Sequence, residues 1–167
     1  MHEKDLRNFD QTKSRLDCPF CYENIKSEII ERFNSVCAIK DKYPVTEGHI
    51  LIIPIRHSED FFSLTTNERN DAEQLLLIMK KQISERDSLI TGFNIGANSG
   101  KSAGQTVFHA HIHLIPRRDG DTPNPRGGVR GVIQDKSVLP RGSLQTCSEK
   151  ADGRFPGFLL GEQQQDS

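Results

Sequence analysis

The amino-acid sequence predicts an α+β domain that is built on an antiparallel sheet. Its apolar patterns follow the order strand, strand, strand, helix, strand, strand, which does not match a parallel doubly wound fold. The last two predicted strands are joined by a short polar loop, which favours antiparallel pairing between them. The chain of 167 residues is long enough for one domain with its own core, and 34% of the residues are apolar.

The first three strands are predicted from apolar runs that lie between turn signals. Residues 28–32 and 36–41 are rich in β-branched residues, and Asn34-Ser35 supplies the turn between them. Residues 49–54 form a nearly continuous apolar run, which is typical of a central strand that is buried on both faces. Pro54 is expected to end that strand because its nitrogen cannot donate to a ladder.

One long helix is predicted to begin after Thr65, because Thr65 and Glu68 have the spacing of a capping box. Apolar residues then recur at spacings of three and four, and this stripe is expected to belong to the core: Ala72, Leu75, Leu76, Met79 and Ile83. The helix is expected to end before Asp87. Two further strands are predicted, over residues 89–96 and from Thr106 to Ile115.

The sequence divides into three parts. Residues 1–16 are polar and are interpreted as an N-terminal lead-in, and residues 17–118 contain all the predicted strands and the helix. Residues 119–167 are rich in Gly, Pro, Arg and Gln without a sustained period. We therefore expect a C-terminal extension that is partly irregular and that covers or borders a site.

Charge and hydropathy argue against two classes of protein. The formal net charge is −1, which does not favour a protein that coats nucleic acid. No apolar run approaches the length of a membrane span, and the N-terminus lacks the apolar centre of a signal peptide. We expect a cytoplasmic protein with no membrane or stable nucleic-acid partner, whose four cysteines are thiols or metal ligands.

Three of the six histidines lie within five residues, at positions 109, 111 and 113. Alternate side chains of a strand share a face, so the three imidazoles are expected to project from one side. The residues between and beside them would point into the core: Phe108, Ala110, Ile112 and Leu114. Neutral imidazole is both a nucleophile near pH 7 and a metal ligand. The pattern alone leaves open a catalytic wall, a metal-site wall and a solvated strand.

A pair of cysteines, Cys18 and Cys21, has the CxxC spacing. The pair precedes any clear strand, which is not the position of a redox dithiol. Together with two histidines it would complete a tetrahedral zinc site, and His57 and His109 are the candidates. By itself, His57 is better interpreted as an ordinary surface histidine.

Residues 96–102, GANSGKS, are similar to a phosphate-binding loop. That motif needs four residues between its glycines and a helix after it. Here three residues intervene and a strand is predicted next. The chain is therefore not predicted to be a P-loop NTPase.

These motifs together resemble the histidine triad nucleotide-binding family. The family signature alternates three histidines with apolar residues, and residues 109–115 (HAHIHLI) match it. The blocks AGQTV at 103–107 and GHILIIP at 48–54 also fit, and the resemblance covers residues 18–118. It implies a histidine-triad-like fold, an antiparallel sheet of about five strands with helices packed on one side. It also implies a homodimer with a continuous sheet.

The resemblance implies an enzyme that cleaves at the α-phosphate of an adenylate-like nucleotide, a diadenosine polyphosphate or a nucleoside phosphoramidate. His111 would attack phosphorus and form a covalent nucleotidyl-histidine intermediate, with His113 and His49 around the phosphate. A nucleotidyl transferase or phosphorylase on the same scaffold is one alternative. A nucleotide-binding regulatory module with little turnover is another.

Further positions of the family pattern imply a nucleotide-binding set. Asp41 would accept hydrogen bonds from the ribose hydroxyls, and Ile39 would line the base pocket. Asn98 and Thr106 would be hydrogen-bonding groups near the phosphate, and Gln105 belongs to the same motif. Four arginines near the extension are candidates for the outer phosphates or for ordinary surface contacts: Arg117, Arg118, Arg126 and Arg130.

In a zinc-containing branch of the family, the metal ligands match Cys18, Cys21, His57 and His109. Four protein ligands leave no open coordination position, so the resemblance implies a structural zinc ion.

Overall fold

The computed structural model describes residues 17–133 of the chain. The predicted lead-in, residues 1–16, and residues 134–167 of the predicted extension lie outside the described range. The described strands are β1 (Ile29–Phe33), β2 (Val36–Lys40), β3 (Ile50–Pro54), β4 (Ile90–Gly96) and β5 (Ile112–Arg118). The α-helices are α1 (Tyr22–Ile25) and α2 (Thr66–Arg86).

The five strands form one sheet in the order β1-β2-β3-β5-β4. Every neighbouring pair is antiparallel, which confirms the predicted α+β class. β3 is central, as its apolar sequence predicts, and all five of its residues are buried. Leu51 of this strand lies between Ile39 of β2 and His113 of β5. The register therefore brings these two residues to the same level of the sheet.

Helix α2 covers one face of the sheet. Thr65 and Glu68 make both reciprocal hydrogen bonds of the predicted capping box. The buried side of α2 packs against alternate residues of the inner strands, and the cluster consists of Val36, Ala38, Ile50, Ile52, Ala72, Leu75, Met79, Ile83, Ile112 and Leu114. Leu76, at the border of the stripe, is only partly buried. A helix with 3.6 residues per turn buries one stripe of side chains, and a strand buries alternate side chains. This burial pattern is therefore expected where α2 packs on the sheet.

The opposite face of the sheet carries a smaller apolar cluster that is formed by Ile25, Cys37, Ile39, Leu51 and Ile53. Ile25 comes from the short helix α1, which the sequence analysis missed because a single helical turn has no detectable period. The face that is not covered by α2 is therefore only partly closed by the N-terminal segment. This leaves room for a cavity beside Ile39 and Leu51.

The last strand begins later and ends later than predicted. β5 starts at Ile112, because β4 pairs no further than Gly96 opposite His113. Before that point, the Ala110 N–H donates to Ser58 O over 2.6 Å, which holds the chain against a loop and not against a strand. His109 and His111 therefore lie in an extended segment that leads into β5. Phe108 was predicted to be in the core, but 39% of it is exposed.

β5 also continues beyond Ile115, where the sequence analysis ended it, and runs through Pro116 to Arg118. The carbonyl of Pro116 accepts a hydrogen bond from Thr46 Oγ1 over 2.8 Å. In a strand, the nitrogen and the carbonyl of one residue point to the same side, which for Pro116 is the side of β3. β3 begins at Ile50 and does not extend as far as Pro116. The missing N–H of proline therefore costs no ladder hydrogen bond here.

No helix within residues 17–133 is long and apolar enough to cross a membrane.

Candidate active site and candidate metal centre

A cavity of about 730 Å³ lies on the sheet face that α2 does not cover. Its lining includes six of the predicted site residues: Ile39, Asp41, His49, Thr106, His111 and His113. Strand pairing explains their proximity, because β2, β3 and β5 are neighbours in the sheet and Thr106 and His111 lie on the segment before β5. A volume of this size suits a small organic ligand.

His111 has a ring orientation that is set by the backbone. Its Nδ1 lies 2.8 Å from the carbonyl oxygen of His109, and only 7% of the residue is exposed. A carbonyl oxygen can only accept, so Nδ1 carries the proton in the neutral ring. The lone pair of His111 is therefore on Nε2. The ring also makes an edge contact with Phe20, with 5.1 Å between centroids.

His49 and His113 are in direct contact, with His49 Nε2 lying 3.0 Å from His113 Nδ1. The Val45 N–H donates to His49 Nδ1 over 3.4 Å, which places the His49 proton on Nε2. His49 then donates to His113 Nδ1, so the neutral His113 ring carries its proton on Nε2. A short relay of hydrogen bonds thus determines which nitrogen of each ring is protonated.

The same surroundings keep both rings neutral at pH 7. Burial lowers the pKa of His49, although Asp41 opposes the change. Burial, with the neighbouring His111 and His49 rings, lowers the pKa of His113 to about 4 against the opposing charge of Asp41. In this neutral state, Asp41 Oδ2 lies 3.4 Å from His49 Nδ1 and 3.9 Å from His113 Nδ1.

Asp41 follows β2 and is held in place by the turn between β2 and β3. Its N–H donates to the His49 carbonyl over 3.0 Å, and its Oδ1 accepts from the Tyr43 N–H over 2.8 Å. The second oxygen, Oδ2, faces the two histidines. Tyr43, Val45 and Phe20 also line the cavity. The sequence analysis did not single them out, because only the tertiary structure brings them to the histidines.

Two members of the predicted nucleotide-binding set are not among the described lining residues of this cavity. Gln105 is buried, and its amide accepts from the Gly100 N–H and donates to the carbonyls of Glu59 and Val107. These three hydrogen bonds hold the loop before the histidine run. Asn98 lies in the same loop and is half-buried. A nucleotide-binding role for Gln105 and Asn98 stays a prediction.

The candidate arginines at the end of β5 are engaged in ion pairs. Arg117 pairs with Asp121 over 2.6 Å, and Arg118 pairs with Asp87 over 2.6 Å. Arg117 also donates to the side chain of Asn94 over 2.6 Å. The contact with Asp121 attaches the start of the C-terminal extension to β5, whereas the contacts with Asp87 and Asn94 lie within the domain. This geometry favours the surface-contact interpretation of these two arginines.

Four predicted metal ligands come together beside the cavity. Cys18, Cys21, His57 and His109 each offer a ligand atom, and these atoms all lie within 4.8 Å of one another. His109 Nδ1 is 3.5 Å from Cys18 Sγ and 3.9 Å from Cys21 Sγ, and His57 Nδ1 is 3.4 Å from Cys21 Sγ. In a tetrahedral zinc site a sulfur and a nitrogen ligand are about 3.6 Å apart.

The protonation of His109 also fits a metal ligand. Its Nε2 lies 3.0 Å from the Pro54 carbonyl, so Nε2 carries the proton and the lone pair on Nδ1 faces the two sulfurs. The residue is fully buried, and burial lowers its pKa to about 4. The four residues thus form a group that can hold a metal ion. Their donor set of two sulfurs and two nitrogens is one that zinc prefers.

The antiparallel five-stranded sheet and the histidines on the cavity wall are the features that the family resemblance predicts. The comparison with known families agrees with that resemblance. The HIT domain family matches residues 22–120, which is more than half of the chain. This chain therefore belongs to the HIT domain family.

Relatives in this family differ in the activities that their names state. The chain is 36% identical over 126 residues to an uncharacterized HIT-like protein of Methanocaldococcus jannaschii, covering 71% of this chain and 94% of that protein. It is 34% identical over 99 residues to the asymmetrical bis(5'-nucleosyl)-tetraphosphatase of Schizosaccharomyces pombe, covering 58% and 53%. It is also 34% identical over 115 residues to the AP-4-A phosphorylase of Mycobacterium tuberculosis, covering 68% and 55%. The matches thus span about half the length of the two named enzymes.

Solved structures show the same fold. A HIT family protein of Bacillus anthracis aligns with a TM-score of 0.57 and 35% sequence identity, covering 63% of this chain and 76% of that chain. The comparison supports the described sheet and helix.

Proposed function

We propose that this protein is a nucleotide hydrolase that cleaves at the α-phosphate of an adenylate-like nucleotide. The observation that carries the proposal is the orientation of His111 on the wall of the 730 Å³ cavity. Its Nδ1–H is bound to a carbonyl, which leaves the Nε2 lone pair available as a nucleophile. Diadenosine polyphosphates and nucleoside phosphoramidates are the proposed substrates.

The proposed reaction has two steps. The lone pair of His111 Nε2 attacks the α-phosphorus, a phosphorus–nitrogen bond forms, and the bond to the leaving oxygen or nitrogen breaks with its electron pair. A leaving nitrogen also takes up one proton from solvent and departs as the amine. Water then attacks the same phosphorus, its proton passes to solvent, and the electron pair of the phosphorus–nitrogen bond returns to Nε2. In this proposal the Nε2–H of neutral His113 would stabilise a phosphate oxygen by donating a hydrogen bond, while its Nδ1 accepts from His49.

The surrounding residues support recognition of a nucleotide. Asp41 Oδ2 is the carboxylate oxygen that would accept from ribose hydroxyls, and Ile39 lies on an apolar part of the wall where a base would pack. Thr106 offers a hydroxyl to the same cavity. Lys40 and Lys42 also line the cavity, and their charges favour a polyanionic ligand.

For the metal centre we propose a structural zinc ion held by Cys18, Cys21, His57 and His109. When bound, it would cross-link the N-terminal turn to the segment that carries His111, two residues from a ligand. Four protein ligands would fill its coordination shell, so it would take no part in activating water.

We further propose that residues 17–118 are the catalytic domain, that residues 119–167 are an extension, and that the chain forms a homodimer through β4. β4 is one of the two edge strands of the sheet. Unpaired edges favour association with another strand. Phe62, Leu77 and Ile95 are apolar and between 50% and 79% exposed on this side of the molecule. A cytoplasmic location stays a prediction from the sequence.

The central test is the substitution His111→Asn, which removes the Nε2 nucleophile while keeping a polar side chain. We expect turnover of diadenosine polyphosphates to fall by about 10³-fold or more, with the fold retained. Activity is measured by chromatography of products, and folding by circular dichroism. Thr91→Ala, far from the cavity on β4, is the matched control. Unchanged turnover in His111→Asn would contradict the mechanism.

The main alternative is a phosphorylase, which is favoured by the similarity to the phosphorylase of Mycobacterium tuberculosis. The first step is the same, but inorganic phosphate replaces water in the second. Product analysis with and without phosphate separates the two. A hydrolase releases AMP under both conditions, whereas a phosphorylase forms ADP only when phosphate is present. A substrate panel that includes adenosine phosphoramidate then narrows the substrate.

A further inference from the structure

A second group of metal-binding side chains lies inside the cavity, separate from the four-residue metal centre. Asp41, His49 and His113 each offer one ligand atom, and these atoms lie within 4.8 Å of one another. Asp41 Oδ2 is 3.4 Å from His49 Nδ1 and 3.9 Å from His113 Nδ1. Ligands at about 2.0–2.2 Å from a tetrahedral ion are about 3.3 Å apart, so small side-chain shifts would close the set.

The three facing atoms all carry lone pairs. His49 Nδ1 accepts from the Val45 N–H, and His113 Nδ1 accepts from His49 Nε2. The Asp41 carboxylate oxygen is an acceptor as well. In the neutral site, therefore, both imidazole lone pairs already accept a hydrogen bond, and a cation would replace the contact from Val45 and the contact between the two rings.

The backbone holds these side chains in place before any ligand binds. Asp41 and His49 close the turn between β2 and β3 through the hydrogen bond from the Asp41 N–H to the His49 carbonyl. His113 lies on β5, opposite Leu51 of β3. Asp41 and His49 lie one residue outside β2 and β3, and His113 lies on β5 beside β3. One sheet therefore positions all three ligands, which lowers the entropic cost of assembling a metal site.

We infer that Asp41, His49 and His113 form a second metal site, which binds a first-row transition ion such as Zn²⁺ or Co²⁺. Two imidazoles and one carboxylate are a donor set that suits these ions, and three protein ligands leave open positions. This inference rests on the proposed function in one respect. Because the same three side chains are proposed to receive ribose and phosphate, the ion would compete with the nucleotide and regulate the enzyme as a reversible inhibitor.

Metal stoichiometry tests the site without any assay of activity. Full-chain protein is saturated with Co²⁺, dialysed and analysed for metal, and its visible spectrum is recorded. We expect two ions per chain, of which one gives the sulfur-to-cobalt charge-transfer band of a thiolate site. The substitutions His113→Asn and Asp41→Asn should remove only the other ion. His111→Asn is the matched control from the same histidine run and should retain both.

Two outcomes would overturn the inference. One is a single bound ion in the unsubstituted protein. The other is equal loss of the second ion in His111→Asn and in His113→Asn. If a variant fails to fold, histidine-ring NMR of the unsubstituted protein replaces it. Zn²⁺ added after the first equivalent must then shift the His49 and His113 resonances more than that of His111, and the reverse pattern would contradict the site.

Kinetics tests the competition. With Zn²⁺ at ten times its dissociation constant from the second site, competitive binding should raise the apparent KM about tenfold and leave kcat unchanged. Activation by Zn²⁺, or a fall in kcat alone, would overturn the inhibitory role. The two proposals fail separately, because an inactive protein can still show two bound ions and a hydrolase can show one.

Discussion

At the residue scale, three histidines that look equivalent in the sequence have three different surroundings. His109 is fully buried and directs its Nδ1 at two sulfurs. His111 is oriented by the carbonyl of its own neighbour, and His113 receives a hydrogen bond from His49. The surroundings of each ring determine which nitrogen keeps a lone pair. The position of that lone pair determines whether the nitrogen can bind a metal ion, attack a phosphorus atom or accept a hydrogen bond.

The lowered pKa of His113 predicts a pH dependence of stability. Its pKa is about 4 in the folded protein and about 6.5 in the unfolded chain, so the unfolded chain binds more protons between these values. The free energy of unfolding should therefore fall as the pH drops from about 6.5 to about 4, by at most about 3 kcal/mol from this group. Urea denaturation at several pH values measures this fall.

The control is His113→Asn, studied at the same metal loading. Other groups titrate in this window too, so the prediction concerns the difference between the two proteins. The variant should lose less stability on acidification than the unsubstituted protein. Parallel pH profiles for the two proteins would contradict the low pKa of His113.

At the element scale, helix α2 and the extended segment before β5 illustrate opposite cases. α2 follows from its own sequence, because the capping box and the apolar stripe are local features. The segment before β5 alternates like a strand, yet it is not paired as one. The hydrogen bond from Ala110 to Ser58 and the end of β4 at Gly96 decide its conformation.

The packing of α2 predicts a strong contrast between two leucines. Leu75 is fully buried against the sheet, whereas Leu77 is 56% exposed. Leu75→Ala should lower the free energy of unfolding by about 2–5 kcal/mol, because it leaves a cavity in the core. Leu77→Ala, its matched control, should change it by about 0.5 kcal/mol or less. Urea denaturation decides, and equal losses would show that α2 does not pack as described.

The N-terminal turn predicts a second contrast, between two cysteines. Protein purified without added metal should contain one zinc ion per chain, and Cys21→Ser should lose it, because Cys21 Sγ lies 3.4 Å from His57 Nδ1. Cys37 is also fully buried, but it donates to the Ile53 carbonyl, and burial raises its pKa to about 11. Cys37→Ser should therefore retain the ion. Elemental analysis of both variants is the measurement, and zinc retained in Cys21→Ser would contradict the proposed centre.

At the scale of the whole molecule, the sheet has a covered face, a cavity face and two edges. α2 covers one face, and the cavity with its two histidine groups lies on the other. The edge strands are β1 and β4, and the exposed apolar residues near β4 include Ile95 and Leu77. This division places the proposed catalytic site and the proposed dimer contact on different surfaces, so each can be tested alone.

Assembly through β4 predicts that a charge on this edge breaks the dimer. Ile95 on β4 is 50% exposed, and Ile95→Lys should convert a dimer to a monomer, because a lysine on an edge strand opposes pairing. Ile30 on β1 is 41% exposed, so Ile30→Lys is the matched control on the opposite edge and should remain dimeric. Light scattering coupled to size-exclusion chromatography measures the mass. A monomeric unsubstituted protein would contradict the proposal outright.

The sequence by itself determined the order of the strands along the chain and the position of the long helix, since these depend on local periodicity and caps. It also identified Cys18, Cys21, His57 and His109 as one candidate group. Only the tertiary structure decided that these four meet, because Cys18 and His109 are 91 positions apart and distance in space depends on the whole sheet.

The tertiary structure also decided the site chemistry. No local pattern indicates that the Val45 N–H faces His49 or that Phe20 contacts His111. Nor does one indicate that the side chain of Gln105 makes three hydrogen bonds to backbone groups. Hydrogen bonds between distant segments set the protonation of His109 and His113, and such bonds form only once the sheet has closed. The chain thus encodes its chemical groups locally, while their protonation and partners are properties of the folded molecule.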